Sequence, residues 1–196
     1  MKHNLSSAAK AIATKSKHSK YLNQLVRVDQ AGELAADYIY KGQLMVFKHT
    51  ELKPLITHMW EQEVHHHKTF DTLQTEGRVR PSLLTPVWRI AALSLGFLTA
   101  IRGKESAMAC TEAVETVIGG HYNSQLRYLL EAEMKTKEGN EGIENLKKIV
   151  SEFRDDELEH LETAVANDAH GAKPYWLLTE VIKKGCAAAI KIAERV

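Results

Sequence analysis

Apolar and polar residues recur along this chain at helical spacing, and no stretch keeps the strict alternation of a half-buried strand. The four prolines and most of the 11 glycines fall between the periodic stretches, where they break helices rather than interrupt them. The pattern predicts a first long helix over about 20–49 and a second from near Pro54 to about Glu76. A loop follows over 77–86, then a short apolar helix over 87–101. A third long helix covers about 105–133, a charged connector 135–142, and a fourth helix about 143–168. After HGAKP at 170–174 a last helix closes the chain. Rods of this length, ~35–45 Å at 1.5 Å per residue, and mostly short links indicate an all-α four-helix bundle. The long link between the second and third rods carries its own helix, which favours a ferritin-like crossover over a simple up-and-down bundle.

Two segments fall outside that bundle. From Val87 to Ile101, 11 of 15 residues are apolar, with Arg89 inside and Arg78, Arg80, Arg102 and Lys104 outside. This is too short to span a bilayer, which takes about 20 residues. A bundle already has its core, so an extra apolar helix edged by cations suits the interface of an anionic membrane; a buried core helix is the alternative. The last helix would cover this insert or lie beside it. The first 28 residues hold no Asp or Glu and several lysines. Residues 1–19 are expected to be a basic tail, either targeting-related or disordered and solvated, with 20–196 a single domain.

Composition narrows the function mainly by exclusion. A net charge of +1 gives no basic excess, and there is no zinc-finger spacing, P-loop or GxGxxG, so nucleic acid is not an expected partner. Cys110 and Cys186 belong to no CxxC pair and read as reduced thiols.

The candidate chemistry lies in two short stretches, EQEVHHH at 61–67 and DDELEH at 155–160. In each, a Glu precedes a His by three residues: Glu63 with His66, and Glu157 with His160. On a helix both side chains then leave the same face one turn apart. Taken alone the spacing is little above chance. Each ExxH, however, follows a helix with a Glu among small residues: Glu33 in DQAGELAA and Glu115 in ACTEAVETVIGG. A carboxylate there is costly unless paired or bound to a cation. The order Glu, ExxH, Glu, ExxH would bring four carboxylates and two imidazoles to the centre of a pseudo-twofold bundle. That is the ligand set of ferritin-like di-iron and di-manganese proteins, and it disfavours structural zinc.

Nearby residues are less decided. Asp29 and Asp37 stand one turn either side of Glu33, and such a row needs cations, from metal or from a neighbouring Arg or His. Asp156 is placed to orient a ligand histidine or to be a solvated surface residue. His65 and His67 point about 100° away from His66 and read as non-ligands. His121 and Tyr122 follow Glu115 by six and seven residues on nearly the same face, as a relay to the centre or as core residues. Gly119 and Gly120, costly inside a helix, suggest a close approach by substrate or a neighbouring helix.

RVDQAGELAADYIYKGQ, HMWEQEVHHHKTF, RVRPSLLTPVW, MACTEAVETVIGGHYNSQLR and FRDDELEH, in this order, resemble the demethoxyubiquinone hydroxylases of coenzyme Q biosynthesis from Leu22 to the C-terminus. Gln30 departs from the His that many members carry, at a position that is not a ligand. The resemblance implies a ferritin-like di-iron protein at a membrane surface, with Glu33, Glu63, His66, Glu115, Glu157 and His160 as ligands. Glu63 and Glu157 would bridge two Fe ions, and His121 and Tyr122, a pair shared with the family, would take a functional role. It implies an O2-dependent monooxygenase acting on the ring of a demethoxy-ubiquinol with a polyprenyl tail, with NADH as reductant. The expected setting is the matrix side of the mitochondrial inner membrane, or the cytoplasmic membrane for a bacterial relative. A lipid-binding partner protein of the coenzyme Q synthesis complex and a homo-oligomer are expected as well. Two other readings stand beside it: a ferritin-like protein that oxidises iron or reduces peroxide, and a quinone-binding scaffold without catalysis.

Overall fold

The computed structural model describes residues 4–14, 18–134 and 141–196. The described residues form α1 (Leu5–Ala13), α2 (Ser19–Phe47), α3 (Lys53–Glu76), α4 (Thr85–Ala100), α5 (Lys104–Met134), α6 (Glu141–Ala166) and, after a 3-10 turn at Ala169–Gly171, α7 (Tyr175–Ala193). No strand occurs among them. The bundle is α2, α3, α5 and α6, packed as the hairpins α2–α3 and α5–α6, with α4 in the long crossover. This is the ferritin-like arrangement the pattern predicts. Most of the 135–142 connector lies outside the described residues.

The N-terminal segment differs from expectation. Asn4 caps α1 by accepting from the Ser7 amide at 3.2 Å, and Ala8, Ala9 and Ile12 are buried against α3 and α6. Small residues let this short helix lie close to the bundle, at Gly142, so residues 5–13 are a packed element and not a solvated tail. Their run of Ala and Ser around Lys10 concealed a narrow apolar stripe.

Two apolar cores divide the bundle along its length. One joins Leu22, Leu25, Phe70, Leu129, Leu146 and Phe153 with α1. The other joins Phe47, Ile56, Met59, Ala107, Met108 and Ala164. Each fully buried large side chain contributes roughly 1.5–3 kcal/mol. Between the two cores lies a layer of buried ionisable side chains, which these flanks must hold together.

Helix α4 packs on α2 and α7 packs on α5. The α2–α4 crossing is tight: a Cβ on Gly96 would collide with the backbone of Ile39, and one on Gly42 with that of Leu93. The backbones of α4 and α7 stay apart, with Trp88 of α4 packing on the small cluster of Val28, Ala31 and Ala193 at the end of α7; Arg27 ties that end to α2 through the carbonyls of Ala193 (2.9 Å) and Glu194 (2.7 Å). An apolar cleft, open to solvent, lies between them. No neighbouring helix crowds Gly119 or Gly120, against that half of the expectation: a Cβ on Gly119 would meet only Leu158 at 3.9 Å, and one on Gly120 nothing.

Candidate metal centre

The buried layer is made by Glu33 on α2, Glu63 and His66 on α3, Glu115 on α5, and Glu157 and His160 on α6, each at most 1% exposed. Helical periodicity supplies each Glu–His pair, and the two hairpins bring the pairs face to face. His66 Nδ1 lies 3.4 Å from Glu33 Oε2, 3.8 Å from Glu63 Oε2 and 3.3 Å from Glu157 Oε1. His160 Nδ1 lies 3.0 Å from Glu63 Oε1 and 3.5 Å from Glu157 Oε2. Glu63 and Glu157 thus each turn one oxygen to either imidazole, which is the disposition of a bridging carboxylate.

Two overlapping groups of potential ligands result: Glu33, Glu63, His66 and Glu157, and Glu63, Glu115, Glu157 and His160, with their ligand atoms within 4.8 Å of one another. Glu33 Oε2, both oxygens of Glu63 and of Glu157, Glu115 Oε2, and Nδ1 of both histidines are buried without a hydrogen-bond partner. Orphaned buried polar atoms are expensive. Here they converge on one another, so a pair of hard divalent cations fits the donor set.

Electrostatics points the same way. Burial first, then the charges of Glu157 and Glu33, push Glu63 well above the usual carboxylate range. Burial, Glu157 and Glu63 do the same to Glu115. Burial would raise Glu157 too, but the nearby imidazoles of His160 and His66 outweigh it and hold that carboxyl at about 2. Burial would lower both histidines; Asp156, Glu157 and Glu33 raise His66 instead, and Glu157 and Glu115 raise His160. Without cations the cluster takes up protons to limit its charge, and two divalent ions would replace them.

Further residues fix the six. His66 Nε2 lies 2.9 Å from Asp156 Oδ2, and His160 Nε2 lies 3.1 Å from Gln62 Oε1. Both partners are acceptors, so each Nε2 carries a proton and each Nδ1 faces inward, where a cation would displace the proton it holds. The Tyr40 hydroxyl donates to Glu115 Oε1 at 3.0 Å, and the Tyr122 hydroxyl donates to Glu33 Oε1. Sequence reasoning picked out Asp156 and Tyr122 but missed Gln62 and Tyr40. The missed signal was symmetry: Gln62 precedes Glu63 as Asp156 precedes Glu157, and Tyr40 follows Glu33 by the same seven residues that separate Tyr122 from Glu115.

The remaining candidates lie around this layer. Asp29 is met by Gln125 Nε2 at 2.6 Å and by His121 Nε2 at 3.6 Å, and Gln125 Nε2 is 2.8 Å from His121 Nε2. His121 therefore borders the centre through Asp29 rather than entering it. His65 packs its ring edge-on to Phe153, with centroids 5.8 Å apart, and His67 faces Asp37. Both cysteines are free. The cleft between α4 and α7 is lined by Gly32 and Ala36, which flank Glu33 on α2, and by Val114 and Ile118, which flank Glu115 on α5.

The family model described as ubiquinone biosynthesis protein COQ7 matches residues 20–193. The chain is 55% identical over 183 residues to the 5-demethoxyubiquinone hydroxylase, mitochondrial, of Saccharomyces cerevisiae, covering 90% of this chain and 78% of that protein. It is 44% identical over 174 residues to the human NADPH-dependent 3-demethoxyubiquinone 3-hydroxylase, mitochondrial (89% and 77%). It is 40% identical over 176 residues to the 3-demethoxyubiquinol 3-hydroxylase of Rhodospirillum rubrum (89% and 78%). A match along nearly the whole bundle, with a buried layer of four glutamates and two histidines at its centre, means that this chain belongs to the ubiquinone biosynthesis protein COQ7 family.

Proposed function

We propose that this protein is an O2-dependent monooxygenase that hydroxylates the ring of a demethoxy-ubiquinol during ubiquinone biosynthesis. The observation that carries the reading is the convergence of orphaned donor atoms from four helices beside an apolar cleft. Glu33, Glu63, His66 and Glu157 would hold one Fe ion, and Glu63, Glu115, Glu157 and His160 the other. When bound, the pair supplies the redox chemistry that activates O2. One ring C–H becomes C–OH and the second oxygen leaves as water, which takes two electrons and two protons from a reductant. A reduced nicotinamide is the proposed source: the family resemblance suggests NADH, while the names of several relatives carry NADPH.

The protein's own residues bind, orient and keep the centre dry. Apolar cores above and below the layer exclude water. The cleft takes the quinol, with the ring toward the wall formed by the flanks of Glu33 and Glu115 and the polyprenyl tail toward the opening between α4 and α7. Tyr122 holds a proton at Glu33 Oε1, and His121 with Asp29 links that neighbourhood to the surface.

Val87, Ile90 and Leu98 on α4 and Trp176 and Val181 on α7 are exposed on the two helices that border the cleft. No described helix is long and apolar enough to cross a membrane. These helices instead rest on the bilayer surface, from which the tail enters. A lipid-binding partner protein or further copies of the chain would share that rim. The names of relatives place them in mitochondria, and the matrix face of the inner membrane is the proposed site here.

The test is anaerobic loading with Fe(II) and counting of bound metal, followed by O2, a demethoxy-ubiquinol and, in separate arms, NADH or NADPH. The expected product is one oxygen atom heavier, with its label drawn from 18O2. Oxidation of iron with the quinol unchanged would contradict the proposal.

A further inference from the structure

Metal–ligand distances tolerate only ~0.2 Å, whereas neighbouring helix residues are offset by 1.5 Å. Glu33 on α2 must therefore be held in strict register with Glu63 and His66 on α3. The α2 sequence around Glu33, AGELAA, offers mostly small side chains with which to interlock. Something else must set the register.

Asp37, one turn beyond Glu33, is a carboxylate with a side chain only 5% exposed and three donors around it. Its Oδ1 accepts from Trp60 Nε1 at 2.7 Å. Its Oδ2 accepts from Lys41 Nζ at 2.9 Å and lies 3.2 Å from His67 Nδ1. Trp60 and His67 are both on α3, one before Glu63 by three residues and the other directly after His66. Asp37 therefore grips α3 on both sides of its two ligands. The contact continues: His67 Nε2 lies 3.6 Å from Asp71 Oδ2, and Gln30 Nε2 donates to Asp71 Oδ1 at 2.8 Å. Gln30 stands three residues before Glu33. The chain Trp60–Asp37–His67–Asp71–Gln30 thus runs alongside Glu33, Glu63 and His66 from end to end.

The other hairpin is built differently. Counting from the ligands, the counterpart of Asp37 is Gly119 and that of His67 is Leu161. There α5 and α6 are joined instead by Arg154 Nη1 donating to Asn123 Oδ1 at 2.7 Å. Fixing register is the best-attested use of buried polar groups.

We propose that Asp37 is a positioning residue, clamping α2 to α3 through Trp60 and His67 so that Glu33 meets Glu63 and His66. This rests on the reading of the six side chains as a metal centre. Burial would raise the Asp37 carboxyl, but the hydrogen bonds from His67, Lys41 and Trp60 outweigh it and hold it below its ordinary value, so the acceptor in the clamp is a carboxylate.

Anaerobic titration of the full chain with Co(II), followed by visible absorption and by thermal melting, tests the proposal. The unaltered protein is expected to bind about two ions per chain. Asp37→Ala should weaken one of them by about 10–100-fold, the usual cost of losing an outer-layer partner. The spectrum that remains should match that of Glu33→Gln and not that of Glu115→Gln. Asp37→Asn, whose Oδ1 can still accept from Trp60, should recover part of the loss. Unchanged affinity for both ions, or equal weakening of both, would overturn the clamp while leaving the metal centre intact. If Asp37→Ala does not fold, Trp60→Phe decides: a smaller loss at the same ion supports the proposal, and no loss overturns it. Failure of the unaltered protein to bind Co(II) would overturn the metal reading and the clamp with it.

Discussion

The two halves of the centre follow one plan and differ in two chemical details. In each half a tyrosine seven residues after the terminal glutamate reaches across to the other half's glutamate: Tyr40 to Glu115 and Tyr122 to Glu33. The residue before each shared glutamate reaches across to the other half's histidine: Asp156 to His66 and Gln62 to His160. Positions obey the twofold; chemistry does not. A carboxylate stands behind His66 and a neutral amide behind His160. Carboxylate backing makes an imidazole the stronger donor. The Glu33–His66 half also has the Asp37 clamp, for which the other half has Gly119. The pair of ions should therefore be inequivalent, with the tighter site at Glu33 and His66.

The largest effect belongs to what the halves share. Glu157→Gln should remove both ions and hydroxylation together, a loss greater than the 10–100-fold typical of outer-layer changes; retention of one tight ion by metal analysis would break the bridging role.

Next, Asp156→Asn should weaken the ion at His66 by about 10-fold or more and bring the two affinities together. Gln62→Glu should strengthen the ion at His160 and also reduce the difference. Two-site fits of a Co(II) titration would show both changes.

The metal-free protein carries a pH signature. Glu63, Glu115, His66 and His160 all have raised pKa values, so the folded state keeps protons that the unfolded chain releases. Their contribution is complete below the unfolded values, 4.5 for Glu and 6.5 for His, and is lost as pH rises through the folded ones. Glu157, held at about 2, acts oppositely, but its contribution fades only toward that acid limit. The melting temperature of metal-free protein should fall between about pH 5 and 8, and saturating divalent cation should remove the fall because metal binding strengthens as protons leave. A metal-free melting temperature that rises over this range would contradict the picture.

The smallest effects test the symmetry itself. Tyr40→Phe and Tyr122→Phe should each cost stability of roughly 1 kcal/mol, in matched amounts, by denaturant titration. If Tyr122→Phe alone lowers the hydroxylation rate, Tyr122 has a role in turnover that its twofold mate lacks.

The long rods, the crossover helix and the six central side chains were legible because helical periodicity and ExxH spacing are local properties. Helix α1 was not legible: nine residues with an alanine-rich stripe gain their order from α3 and α6, which a reading of 1–19 alone does not contain. The partners of Asp29 and Asp37 were half legible. The row of acids announced a need for donors, but Gln125, Trp60 and His67 come from other helices or from neighbouring faces, and only the packed hairpins pair them. Gly119 was misread because an unfavourable residue in a helix suggests an intruding neighbour, whereas the structure leaves the space nearly open.

Mössbauer spectroscopy of protein titrated anaerobically with 57Fe(II) tests the central claim most directly. The account predicts about two ferrous ions per chain, in two distinguishable environments that fill in order and are both lost in Glu157→Gln. Binding of less than one ion per chain, or two ions that persist unchanged in Glu157→Gln, would contradict it.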